Sequence, residues 1–333
     1  MTNVIIAGGG VAGAATALAL HKAGIPAAVY EAHASGGEDA GAFLTVMANG
    51  MAALDTIGAT EAVLEVSYPA RTVALYDAQG VALGERPIAG PARTMRRAAL
   101  YRALQELAVA RGIPVHHGKR LTGAFTFEDG TRADGDVLVG ADGIHSRTRR
   151  LIDPSAPEPR YTGQHVIYGY ADGNVAGVTD DGYHMIRGER AAFGFTAPGD
   201  GHTWWFARIA GEPGTGANWR ELALAAVRDD TTQAAAIVTA TAPEQVVGGD
   251  SYDIPTTPRW HDGTMVLTGD AAHAASPATA QGASMALADA VALAEALSAH
   301  PDDVQTAFTT YETRRRAETE ENVAASAALN RRP

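Results

Sequence analysis

Gly8, Gly10 and Gly13 stand in G-x-G-x-x-G spacing near the start of the chain, and an acidic residue, Glu31, closes the same segment. These residue types suit a dinucleotide. Gly8 permits a tight turn, Gly10 clears room for a pyrophosphate, and Gly13 lets the following helix pack closely on the strand before it. Val11 and Ala12 form the first turn of that helix, whose free N–H groups and positive dipole end face the phosphates. Glu31 would accept hydrogen bonds from both ribose hydroxyls and repel a 2′-phosphate, and Ala32 supplies no arginine to receive one. FAD or NAD therefore fits better than NADP. A second chemically suggestive run is "VLTGDAAHAASPATAQGAS", residues 266–284. A strand-like stretch stops at Gly269-Asp270, where a lone carboxylate can accept from hydroxyls. A loop of small residues follows, and small residues let a backbone lie against something large and flat.

These groups need a scaffold. "NVIIAGGGVAGAATALALHKAGIPAAVYEA" reads as strand, turn, helix and strand. Val4 to Ala7 is a continuous apolar run, as expected for a parallel strand buried on both faces. The helix reaches about Ala23, is ended by Gly24 and Pro26, and leads to a second strand at Ala27 to Tyr30. Residues 41–58 predict an extended piece and a short helix ending at Gly58, and Arg71 to Leu83 a strand pair turning at Asp77 to Gly80. Residues 93–112 predict an amphipathic helix with Leu100, Leu104 and Leu107 on one face, and a solvated Arg93, Arg96, Arg97 cluster. A hairpin is expected around Asp129-Gly130, pairing 125–127 with 131–133. Asp136 to Val139 then returns to the core sheet and breaks at Gly140-Ala141-Asp142-Gly143. From about Tyr161 to Val247, short alternating strands rich in aromatics are interrupted by one helix, about Trp219 to Arg228. This predicts an antiparallel sheet with one aromatic face. Trp204 and Trp205 must then point to opposite sides.

Composition narrows the classes. The chain has 333 residues, is 46% hydrophobic, has no cysteine and carries a net charge of −12. Disulfides, thiolate metal sites and a cysteinyl cofactor link are excluded, which suits a cytoplasmic protein. The acidity argues against nucleic acid as a partner. No uninterrupted apolar stretch predicts a membrane span, and the chain enters a strand at once, so no signal peptide is expected. His116 and His117 are neighbours on a strand and face opposite sides, and no other spacing suggests a metal.

Three separated segments, "GGGVAG" with Glu31, "GADGIHSRTR" and "TGDAAHAASPATAQGASMALADA", occur in the order found in the group A flavoprotein monooxygenases, which the chain resembles along nearly its whole length. The resemblance implies the para-hydroxybenzoate hydroxylase-like fold: an α/β, Rossmann-like FAD-binding domain with an inserted antiparallel-sheet substrate domain. The expected boundaries are 1–70, 90–159 and 250–333 for the FAD domain, and 71–89 with 160–249 for the substrate domain. Carried over by residue, Gly8, Gly10, Gly13 and Glu31 hold the ADP half of non-covalent FAD, and Arg97 contacts the cofactor. Asp142 and Gly143 help hold its pyrophosphate region and serve NAD(P)H, with Arg149 supporting that segment. Gly269 and Asp270 meet the ribityl chain, while Pro277, Gln281, Gly282 and Ala283 run beside the ring. Three positions depart from the family's pattern: Ala280 where it usually has glycine, Ala288 where it often has glutamate, and Ala48 where proline is common.

The implied reaction uses NADH or NADPH and dioxygen to form a C4a-hydroperoxyflavin, which hydroxylates or epoxidises a small aromatic or polycyclic substrate. Tyr168, His165, Tyr183 and His184 lie on the expected substrate strands as candidates to orient a phenol or take its proton. His273 is assigned a packing role. The rival readings are a same-fold halogenase, which would need a suitably placed lysine other than Lys22 or Lys119, a flavoprotein reductase or oxidase, and a non-redox FAD-containing cyclase or binding protein. The sequence leaves the oligomeric state between monomer and dimer.

Overall fold

A computed structural model describes residues 2–34, 42–178, 181–214 and 218–330. Val4–Ala7 lies at the centre of a six-stranded sheet, fully buried, with Val137–Gly140 and Ala27–Tyr30 paired to it in parallel on either side. The sheet continues to Met265–Leu267 and its antiparallel partner His261–Asp262 on one flank, and to Val115–His116 on the other. The central strand is apolar at every position because both its faces are covered. Val4 and Ile6 join the core containing Leu18 and Leu20, while Ile5 and Ala7 pack with Phe125, Phe127 and Leu138.

The helix Gly282–Ala299 packs against the helices Val11–Lys22, Ala48–Thr56 and Val304–Asn330. By length and composition it alone among the described residues would suffice to cross a bilayer, with mean hydropathy 1.3, which departs from the sequence expectation. Its apolar residues are instead core: Met285, Leu287, Leu293 and Leu297 are buried in the protein.

A second sheet has seven strands in the order Val246–Asp253, Arg160–Asp172, His202–Ala210, Ala191–Thr196, Gly182–Arg187, Thr72–Asp77 and Ala82–Pro87. It is antiparallel except where Gly182–Arg187 runs parallel to Thr72–Asp77, a pairing that local hairpins cannot supply. Alternation sorts its side chains. Ile167, Phe193, Phe195 and Trp205 pack beneath the helices Trp219–Val227 and Ala234–Ala240, whereas Tyr170, Tyr183 and Trp204 gather on the opposite face with Phe43. The two tryptophans face opposite sides as expected, and both are buried.

Three local expectations change. Arg93–Arg96 is a strand paired with Phe43–Val46, and the helix starts only at Arg97; the buried Thr94 and Met95 are held between two strands. Ala234–Ala240 forms a helix within a stretch expected to hold strands, because its alanines and Ile237 bury one face against the sheet. The turn at Asp129-Gly130 is present, but Thr126–Phe127 forms its regular ladder with Leu121–Gly123, and only a single bridge joins Thr126 to Arg132. Residue 41 lies outside the described residues.

Candidate active site

The glycine turn is built by close approach. A Cβ on Gly13 would sit 1.9 Å from the Gly8 carbonyl oxygen, and one on Gly8 would sit 2.4 Å from that of Ala141. Gly8 also has φ +101°, a conformation that side chains disfavour. Gly10 differs, since nothing lies within 4 Å of its Cβ position. The helix Val11–Lys22 begins at that opening with no side-chain cap, so its first N–H groups remain available to an anion. Glu31 is buried beside it and accepts from Gly9 N–H (2.7 Å) and His33 N–H (2.8 Å), one on each carboxylate oxygen. Each oxygen keeps a further lone pair for a ribose diol. The open cradle, the uncapped helix and the buried acceptor fit the ADP half of FAD.

Asp142 is spent on shaping its own loop. Its carboxylate accepts from Ser146 Oγ (2.5 Å), Arg147 N–H (2.8 Å) and the Thr148 N–H and hydroxyl (both 3.0 Å), which caps the helix Arg147–Ile152. What this segment offers a ligand is therefore backbone and the open side of Gly143. Arg149 is buried and donates to the carbonyls of Ala271 (3.1 Å) and Ile144 (2.5 Å), which ties the loop to the turn holding Asp270.

That turn hangs on a buried charge cluster. Gly269, at φ +59°, donates its N–H to Asp289 Oδ2 (3.0 Å). Asp289 is fully buried in the helix Gly282–Ala299, with His273 Nε2 2.5 Å from Oδ2 and Arg315 Nε donating to Oδ1 at 2.8 Å. Burial alone would raise the Asp289 carboxyl, but the neighbouring charges of His273 and Arg315 hold it below its ordinary range. Burial likewise opposes a charged His273, yet the charge and hydrogen bond of Asp289 outweigh it and raise the imidazole. Asp270 itself is exposed, its carboxylate available to hydroxyls.

The small-residue loop is exposed and tethered. Pro277, Ala280 and Gly282 are exposed, and Gln281 and Ala283 are half-buried. Thr279 hydrogen-bonds Asn322 (2.9 Å) and Ser326 (2.7 Å) of the long helix, and Asn330 donates to Ser276 (2.8 Å). The helix Gly282–Ala299 starts with no side-chain cap, which turns its positive end toward the loop's open side. Ala280 sits at φ +55°, in the left-handed region where glycine is favoured.

Met47, which packs on the aromatic sheet face, donates its N–H to Ser284 Oγ and so brings that face near the start of the helix Gly282–Ala299. Phe43 meets Tyr168 edge-on at 5.6 Å and Trp204 at 5.5 Å. Burial pushes the Tyr168 phenol up to about 12, against the charges of Arg97 and Arg208, which pull it down. At neutral pH it is a hydrogen-bond donor and no base. A separate cavity of about 420 Å³, bounded by Arg190, Ile209 and Leu222, contains none of the glycine-turn or 277–283 residues.

The family model described as an FAD binding domain matches residues 1–326. The chain belongs to that family, within the group A flavoprotein monooxygenases. Aurachin C monooxygenase/isomerase of Stigmatella aurantiaca is 29% identical over 314 residues, covering 89% of this chain and 80% of that protein. A chloroplastic zeaxanthin epoxidase of an Oncidium hybrid cultivar is 28% identical across 94% of this chain, but the chain spans only 52% of that protein. The fold is similar to that of Klebsiella pneumoniae HpxO complexed with FAD and uric acid, with a TM-score of 0.89, 24% identity, and coverage of 99% of this chain and 88% of that one.

In this flavoprotein monooxygenase, two of the four substrate-strand candidates must be reassigned. His165 pairs with Asp250 (2.9 Å) beside Trp219, and His184 stacks on Phe195 at 4.9 Å. Both lie on the sheet face under the helices, because odd positions of one strand and even positions of the other point away from the cofactor domain. Tyr183 faces the right way, but its hydroxyl is engaged by Thr45 (2.9 Å) and Thr94, which welds the sheet to Phe43–Val46. Tyr168 remains, with Arg97 exposed near it. Arg96, expected in solvent, lies 4.3 Å over the Tyr170 ring, and Arg93 donates to Ser67 Oγ (3.0 Å). The role of Asp289 was not foreseen. One signal for it existed, since an aspartate among the apolar residues of a largely apolar helix must find a cationic partner when buried.

Proposed function

We propose that this chain binds FAD non-covalently and uses NADH or NADPH with dioxygen to hydroxylate or epoxidise a small aromatic or polycyclic substrate. The observation that carries this reading is the pairing of an exposed loop of small residues with an uncapped helix start, set in the same chain as a dinucleotide cradle and an aromatic wall. Bound FAD would supply the redox chemistry that no side chain here can perform. Gly8 to Gly13 and Glu31 hold its nucleotide half, and Asp270 accepts from hydroxyls of the linking chain. The start of the helix Gly282–Ala299 stabilises negative charge beside the 277–283 loop. The aromatic wall excludes water from the reacting centre. Tyr168 donates a hydrogen bond to a substrate oxygen without taking a proton.

The test is nucleotide oxidation by the purified yellow protein, with phenols, polyketide-like aromatics and terpenoids as substrates. NADH or NADPH consumption with matching, substrate-dependent oxygen uptake is expected. Product formation without flavin reduction would instead support a non-redox role, and reduction without substrate oxygenation a reductase or oxidase. A colourless protein that takes up no FAD would end the proposal.

A further inference from the structure

Resting on that reading, we infer that Asn322, Ser326 and Asn330 are positioning residues for the flavin ring, clamping the 277–283 loop and the substrate sheet to one face of the helix Val304–Asn330. That face is continuous. Phe308, Tyr311, Arg315, Thr319, Asn322 and Ser326 are buried and follow one another at steps of three or four residues, which places them along one side. The first two belong to the apolar core, whereas from Arg315 onward each step on this side is polar. Buried polar groups cost free energy unless paired, so such a run fixes directions that apolar packing would leave loose.

Each pairing reaches a different part of the site. Arg315 donates to Asp289, which in turn holds Gly269. The Thr279 hydroxyl donates to Asn322 Oδ1 at 2.9 Å, which leaves Ser326 Oγ, at 2.7 Å, as the donor to Thr279. One step further, the Asn330 amide donates to Ser276 Oγ at 2.8 Å, and the Asn330 carbonyl accepts from Gln164 Nε2 at 3.0 Å. Gln164 lies on Arg160–Asp172 four residues before Tyr168, so both point to the same side of the sheet. Ser276 and Thr279 carry the only polar side chains in residues 276–280, and both are bonded to this helix. The loop has little else to fix it, since Pro277–Thr279 is a single tight turn. The nucleotide cradle of Gly8 to Gly13 and Glu31 shares none of these bonds. Releasing the clamp should therefore loosen the ring end alone, and affinity for FAD falls by the fraction of time the loop spends out of place.

Equilibrium dialysis of the FAD-loaded protein, followed by displacement of the FAD with ADP, measures the two ends separately. Thr279→Val removes the hydroxyl at nearly constant volume and should weaken FAD about tenfold while leaving ADP affinity unchanged. Its bound flavin should also become more readily quenched by iodide. Thr279→Ser keeps the hydroxyl and should restore wild-type values. The double variant Asn322→Ala/Ser326→Ala should match Thr279→Val, and combining all three should add nothing further, as expected for partners in one contact. Asn330→Ala should weaken FAD in the same selective way, to a smaller extent. Unchanged FAD affinity in Thr279→Val or Asn330→Ala, equal losses for FAD and ADP, or a Thr279→Ser variant as weak as Thr279→Val would overturn the inference. In each of those cases a flavin-loaded wild type leaves the broader functional reading standing, whereas a wild type without flavin sinks both. If the double variant fails to fold, Thr279→Val and Thr279→Ser decide the outcome alone.

Discussion

At the nucleotide end of the site, Gly13 packs on Gly8, and Glu31 receives the Gly9 N–H. These two contacts close within the first thirty-odd residues, and the approach of Gly8 to Ala141 and of Gln105 to the Gly9 carbonyl adds to them from further along the chain. At the ring end, Gly269 hangs on Asp289, Asp289 on His273 and Arg315, and Thr279 on Asn322 and Ser326. Met47, from far earlier in the chain, donates to Ser284 at 2.9 Å. A phosphate can be bound by backbone N–H groups that one turn supplies, so a local motif is enough. A flat ring needs two walls in fixed relation, and only long-range contacts can hold them.

The sharpest way to break this contrast is at Asp289. Asp289→Ala leaves Arg315 and His273 without their shared counter-charge in the core, so urea denaturation should show a loss of about 3–5 kcal/mol. Flavin occupancy should fall with it, because the Gly269 N–H loses its acceptor. A loss under about 1 kcal/mol, the range of exposed pairs, would mean the cluster does not hold the turn.

The nucleotide end should respond differently at two neighbouring glycines. Gly13→Ala forces helix and turn apart and should destabilise by about 1–3 kcal/mol. Gly10→Ala meets open space and an ordinary φ of −64°, so stability should stay within about 0.5 kcal/mol. It should nonetheless weaken FAD binding about tenfold by filling the phosphate space. Equal effects at both sites would contradict the geometry.

A smaller effect concerns pH. The His273 pKa is raised in the folded state, so its contribution is fully present below the ordinary histidine range and is lost as pH rises through the raised value. The stability gap between wild type and His273→Asn should therefore narrow from neutral toward alkaline pH in thermal melts. A gap that widens there would reverse the sign. Asp289, with its pKa lowered, contributes above the ordinary carboxylate range and loses that contribution as pH falls.

Smallest of all is Ala280→Gly. The left-handed conformation costs a side chain about 1–2 kcal/mol, and glycine's extra freedom when unfolded returns about 0.5–1 of it. A net gain of about 0.5–1 kcal/mol is expected by denaturation, and a loss would show that the Ala280 methyl is packed to advantage.

Local patterns were legible where local forces act. The strand, turn and helix over residues 4–22 follow from an apolar run, glycine spacing and an alanine-rich stretch, all short-range. Arg93–Arg96 misled because its leucine-spaced continuation reads as helix, while pairing with Phe43–Val46, distant in sequence, makes it a strand. Alternation showed that the aromatic sheet has two faces, but not which one meets the cofactor domain. Tyr168 and His165 were therefore equal as candidates until the fold separated them.

By itself the sequence determined the dinucleotide cradle, the small-residue loop and the class of cofactor, because each depends on residue types at short spacing. Tertiary structure alone decided that Asp289 serves Gly269, that Tyr183 is a weld, and that His165 turns away from the aromatic wall. Those are statements about which distant groups come within a few ångströms of each other, and a one-dimensional pattern carries no such distances.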